Sequence, residues 1–206
     1  MKDVKTYGQL REFLATIIAN MPNIPANVMQ EWIENPKILK KTLEKALLYW
    51  KIWKTIKIGW VANTDSFNKL FFSTGIIASQ YAYDILEKIT LEPKQTKIDL
   101  VVLSPSILGL EKEASREDIY LKALSLGLSI CPAEVGPQLV LELNTDRIKK
   151  EVSLNIAMLP ISDSDAGSRL FSVEYKDGKM WLVTNSGNPE CLWDSDDLFV
   201  FVLPRK

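Results

Sequence analysis

The segment richest in chemical possibility is Cys131-Pro132-Ala133-Glu134-Val135-Gly136-Pro137-Gln138. Two prolines fix backbone φ angles and a glycine permits a sharp turn, so the pattern predicts a stiff loop between a helix exit and a sheet strand. A carboxylate on such a loop, Glu134, can bind a ligand or act as a general base with a perturbed pKa, with Gln138 as a second polar contact. The competing reading is that Glu134 satisfies backbone donors while the prolines and glycine build the connection. None of the 206 residues is histidine, which removes the commonest general base and the commonest metal ligand together. The sequence therefore leans away from an enzyme, with no metal and no cofactor expected.

Other candidate constellations are weaker. Asp163, Asp165 and Gly167 imitate the start of a calcium loop, but the later ligands that such a loop needs are missing, so a hairpin turn is expected. Asp194, Asp196 and Asp197 read as a solvated turn, or as an acidic rim for a basic partner. Cys131 and Cys191 have no neighbouring cysteine or histidine and read as buried free thiols. No phosphate-binding glycine loop, nucleophile elbow or paired-cysteine motif occurs.

Charge is distributed unevenly. Residues 1–60 hold 10 Lys/Arg against 5 Asp/Glu, for +5, and residues 61–206 hold 15 against 21, for −6. Lys37, Lys41 and Lys45 recur every four residues and predict one helical ridge. Lys51, Lys54 and Lys57 follow, interleaved with Trp50, Trp53 and Trp60. Lysines attract phosphates and tryptophans stack on unpaired bases, so the Lys37–Lys57 stretch with Trp53 is a candidate nucleic-acid surface. A solvated helix face above a tryptophan-containing core explains the same residues without any ligand.

Hydrophobic residues at 47% and charged residues at 25% place the chain among folded globular proteins rather than disordered ones. No apolar run approaches the roughly 20 residues that cross a bilayer, and the opening residues carry no signal-peptide core. The expectation is a cytoplasmic protein without membrane contact.

Helical periodicity and capping patterns dominate the front of the chain, with Asn35-Pro36 as a restart signal for a third helix. Alternation begins after Trp50 and predicts a strand ending at Gly59 with Ile56 and Ile58 inward. Helices are expected after Thr64-Asp65-Ser66, from Ser79 to Lys88, and after the Ser115/Asp118 capping box. Strands are expected at Lys97–Ser104, Gln138–Leu143, Val152–Leu159, Arg169–Tyr175, Lys179–Thr184 and Leu198–Leu203, with Asp177-Gly178 as a hairpin turn. This is an α+β pattern: a helical N-terminal half followed by a mainly antiparallel β-sheet. Residues 1–50 read as a helical extension and 51–206 as the core domain.

The blocks Trp53–Gly59 (WKTIKIG), Asp84–Leu86 (DIL), Asp99–Ser104 (DLVVLS), Cys131–Leu139 (CPAEVGPQL) and Ile156–Ile161 (IAMLPI) resemble an uncharacterised family of small bacterial proteins. The resemblance spans Trp53 to Phe201 and implies a bacterial, cytoplasmic or mobile-element setting and one compact core. It carries no catalytic residue. The leading functional expectation is a non-enzymatic protein-interaction module that engages a partner or self-associates. The alternatives are a nucleic-acid-associated protein using the basic stretch, and an enzyme with a carboxylate site at Glu134.

Overall fold

The computed structural model describes residues 7–19, 23–40, 50–145 and 151–205. Its contacts divide the chain into two compact units, Met1–Tyr49 and Trp50–Lys206. The first unit contains α1 (Tyr7–Ala19), α2 (Ala26–Glu34) and the described part of α3, residues 36–40. Proline's fixed φ suits a helix entrance, and the Pro25 carbonyl accepts from Val28 N–H at 3.0 Å and Met29 N–H at 3.1 Å. Asn35 divides α2 from α3, its carbonyl accepting from Ile38 N–H at 2.9 Å. Pro36 then enters a helix as the restart signal predicts.

In the second unit, a sheet runs in the order β1 (Lys54–Ile58), β3 (Thr96–Leu103), β10 (Phe199–Leu203), β5 (Val152–Ile156), β7 (Ser168–Lys176), β8 (Lys179–Ser186) and β2 (Ile77–Ala78), with β6 (Ile161–Ser162) paired to β7. A two-stranded ladder joins β4 (Ala114–Ser115) to β9 (Leu192–Trp193). The helices are α4 (Thr64–Thr74), α5 (Gln80–Leu86), α6 (Arg116–Ser125) and α7 (Val135–Thr145).

Strands β3 and β10 are buried on both faces, which is why their sequences are nearly continuous apolar runs. Ile56, Leu100, Val200, Leu154 and Phe171 join one core with Phe67, Phe71, Ile85, Val135 and Leu139 of α4, α5 and α7. Val101, Leu103, Phe199 and Phe201 belong to a second core with Ile119, Tyr120 and Ala123 of α6. Tyr120 secures that helix: its hydroxyl accepts from Met158 N–H at 3.1 Å and lies 3.3 Å from the Met158 carbonyl. Burial pushes its pKa up to about 12.

Local signals account for most boundaries. Asn63 Oδ1 caps α4 by accepting from Ser66 N–H at 3.0 Å, and Ser115 Oγ caps α6 by accepting from Asp118 N–H at 3.0 Å. Gly75 ends α4 in the left-handed region, φ 73°. Asp177 and Gly178, both at positive φ, turn β7 into β8.

The fold is mixed α+β, with two departures from expectation. Residues 138–143 are helical, inside α7, rather than a strand. Val135, Leu139, Val140 and Leu143 bury one helical face, and Pro137 sits in the first turn, where its missing N–H has no intrahelical partner to lose. Secondly, the helices and strands are not segregated into halves: β1, β2 and β3 enter the sheet early, and α6 and α7 come late. The sheet is mainly antiparallel as expected, with β10–β5 and β2–β8 as its parallel pairs. Between α4 and α5 the chain passes through β2, which pairs with β8.

Candidate functional site: the Glu134 clamp and the β1 border

Glu134 immediately precedes α7, and its carbonyl accepts from Gln138 N–H at 3.1 Å as the helix begins. The residue is fully buried. Oε1 accepts from Gly59 N–H at 2.7 Å and Oε2 from Glu92 N–H at 2.8 Å. Gly59 leaves β1 and Glu92 approaches β3, while Ile58 and Thr96 form the last described pair of that antiparallel ladder. One carboxylate thus holds the two chain segments where the ladder opens, through charge-assisted bonds to main-chain donors. With no accessible surface and both oxygens engaged, it is out of reach of a substrate in this conformation.

Gln138 extends the same device. Its Oε1 accepts from Trp60 Nε1 at 2.7 Å and its Nε2 donates to Glu142 Oε1 at 3.3 Å. Glu134 and Gln138, four residues apart, therefore hold Gly59 and Trp60, the two residues that follow β1. Gly136 between them is required by packing, since a Cβ there would lie 2.7 Å from Cδ2 of the buried Phe171 ring. A shallow depression of about 350 Å³ is lined by Glu151, Val152, Ser153, Glu174, Tyr175 and Lys176, and does not include Glu134.

The lysine candidates fall partly in each unit and partly outside the described residues. Lys37 belongs to the first unit, and Lys41 and Lys45 lie outside the described residues. Lys51 and Lys57 are exposed and Lys54 is half-buried. Strand alternation puts Lys54 on the Ile56/Ile58 side of β1 and Lys57 on the opposite side, so the two do not build one surface. Trp53 is 41% exposed beside them.

Sequence reasoning missed a polar row across β1, β3 and the C-terminal end. Asp99 Oδ1 accepts from Thr55 Oγ1 at 2.5 Å and from Arg205 Nη2 at 2.8 Å, while Oδ2 accepts from Arg205 Nε at 2.6 Å. An acid inside the apolar run IDLVVL was the available signal, because a buried aspartate needs partners. The Arg205 and Thr55 hydrogen bonds hold the Asp99 pKa down to about 2, outweighing the opposing effect of burial. A depressed pKa means that ionised Asp99 stabilises the fold above its unfolded pKa of about 3.9 and that this support fades as pH falls towards 2. Urea unfolding should show wild type more stable than Asp99→Asn at pH 5, with the gap closing between about pH 4 and pH 2. A gap independent of pH over that interval would contradict the assignment.

The acidic clusters are internally occupied. Asp163 Oδ1 accepts from Asp165 N–H at 2.9 Å and Gly167 N–H at 2.7 Å, and its Oδ2 accepts from Arg169 Nε at 2.6 Å. The turn connects β6 to β7, and the Arg169 guanidinium lies 4.3 Å from the centre of the Tyr81 ring. Asp197 Oδ2 accepts from Asp194 N–H at 2.9 Å, closing the turn before β10. Among the described residues no group of three or more Cys, Asp or Glu is placed to hold a metal ion. Cys131 is buried, its thiol pushed well above the ordinary range by desolvation and directed at the Val200 carbonyl at 3.3 Å, whereas Cys191 is half-buried. Both are free.

No described helix is long and apolar enough to cross a membrane. No protein family, no curated protein and no solved structure matches the chain.

Proposed function

We propose that this chain is a non-enzymatic protein-interaction module. The observation that carries the reading is the closure of Glu134: the acid that the sequence singles out is sealed and spent on two main-chain amides. The second unit also exposes scattered apolar side chains, including Ile52 and Trp53 before β1 and Leu121 and Leu124 on α6, which offer contact points for a partner. The block resemblance supports a bacterial, cytoplasmic or mobile-element setting for this role. The nucleic-acid alternative loses support from the opposed directions of Lys54 and Lys57.

Site-specific photo-cross-linking in the native cell tests the reading. A benzophenone side chain at Ile52 or Leu121 should yield discrete protein adducts, and one at Lys179 on the β7–β8 hairpin should not. Absence of adducts from every exposed apolar position would overturn it.

A further inference from the structure

The outer side of α6 and the β4–β9 ladder share one surface. Ile119, Tyr120 and Ala123 are the buried side of α6, so helical spacing sets Glu117, Asp118, Leu121 and Leu124 on the other side, and all four are exposed. Leu121 is 59% exposed and Leu124, one turn on, 47%. In the ladder Ala114 and Trp193 are the buried pair, so the alternate pair, Ser115 and Leu192, faces outward, with Leu192 62% exposed. Ser115 also caps α6 through Asp118, which joins the outer face of the ladder to the first turn of the helix. Leu192, Leu121 and Leu124 thus follow one another along α6, whose ten residues rise roughly 15 Å.

The charge around these leucines has one sign. Glu117 and Asp118 head the helix, and the next position of the ladder register sets Glu113 opposite Asp194, both exposed and on the Leu192 side. Asp118 is engaged by Ser115, but among the described residues the carboxylates of Glu113, Glu117 and Asp194 enter no ion pair. The nearby cations do not answer them. Arg116 lies 4.9 Å from the centre of the Tyr120 ring and its Nε donates to the Asn188 carbonyl at 3.4 Å, while Lys122 is half-buried on the flank of α6 beside Gly109. Lys112 stands between Glu111 and Glu113 and leaves that stretch acidic. The Asp197 carboxyl is pushed up by burial and, more weakly, by the charges of Asp194 and Asp196, a sign of the same excess.

From this arrangement we infer that the outer side of α6 and the β4–β9 ladder dock a basic amphipathic helix of a partner protein. Its apolar side chains would cover Leu192, Leu121 and Leu124, and its lysines or arginines would meet Glu113, Glu117 and Asp194. Charge complementarity selects this occupant. A helix suits the surface because α6 presents side chains alone, so an added strand gains no main-chain bonds along it, whereas a helix satisfies its own backbone and repeats its side chains at the same three- and four-residue spacing. Nucleic acid and anionic lipid are repelled by the carboxylates. Two copies of this chain joined through the surface would bring the same acids face to face. The inference rests on the interaction-module reading and specifies its partner.

The test uses the full-length protein, isotope-labelled for NMR, and a blocked tetradecapeptide of leucine and lysine with the leucines at helical spacing. Saturable binding is expected, with shifts concentrated at residues 113–124 and 190–194 and an affinity that falls as salt is added. Leu121→Lys and Glu113→Lys should each weaken binding by roughly tenfold or more, as loss of complementarity does. Both positions are exposed, so the urea midpoint should stay where it is while binding falls. Four results would overturn the inference: no saturable binding in the millimolar range, equal binding of a peptide of the same composition in which leucine and lysine strictly alternate, affinity unchanged in both variants, or sedimentation of the protein alone as a dimer that the same variants dissociate. Photo-adducts from Ile52 alongside a silent Leu121 would remove this inference and leave the interaction-module reading standing.

Discussion

Replacing Glu134 by alanine is expected to destabilise the protein by about 3–5 kcal/mol, since two charge-assisted hydrogen bonds disappear and both amide donors lose their partner. The donors belong to Gly59 and Glu92, so the loss falls on the mouth of the β1–β3 ladder rather than on α7. Glu134→Gln keeps the volume and one acceptor but turns an amide nitrogen towards a main-chain donor, and should fall between wild type and alanine. Urea denaturation gives the stabilities, and native-state hydrogen exchange locates the loss. Faster exchange confined to β1 and residues 90–96 supports the clamp. An unchanged midpoint for Glu134→Ala would show that the carboxylate has another task, and would reopen its candidacy as a reactive group.

The parts of the fold readable from sequence are those in which one physical signal acts alone. Ile56 and Ile58 alternate with exposed Thr55 and Lys57 because β1 is covered on one side only. Leu100 to Leu103 run unbroken because α7 and α6 occupy opposite sides of β3. The α7 region failed because two signals conflict there. Gly136 and Pro137 look like loop residues, yet proline is harmless in a first helical turn and the glycine is set by the Phe171 ring, which no local pattern reveals.

The site divides in the same way. Glu134 stands out in sequence as an acid among prolines and apolar residues, but its partners lie 75 and 42 positions away, and only topology brings them to it. Asp99 and Arg205, 106 positions apart, are equally invisible to spacing. The lysine series invites a single surface because helical spacing is carried past the point where the chain becomes a strand. On β1 an interval of three residues reverses direction, so Lys54 and Lys57 part company.

Gly59→Ala is expected to be nearly as damaging as loss of the clamp acid, at about 2–4 kcal/mol, from two separable causes. Gly59 has φ 73°, a left-handed conformation that costs an L-residue about 1–2 kcal/mol. A Cβ on it would also lie 2.3 Å from the Lys94 carbonyl oxygen and 2.9 Å from that of Glu92. These are backbone atoms on the very segment that Glu134 draws towards β1, so they cannot yield without loosening the Glu92 bond. Asparagine tolerates left-handed φ but retains the Cβ, and therefore separates the causes. If steric overlap dominates, Gly59→Asn should be close to Gly59→Ala in urea unfolding; if φ dominates, asparagine should recover most of the loss. Because the glycine and the carboxylate act on one junction, the double variant Gly59→Ala/Glu134→Ala should lose less than the two single losses added together. Strict additivity would show that the closeness of β1 and the Glu92 segment does not depend on the carboxylate between them.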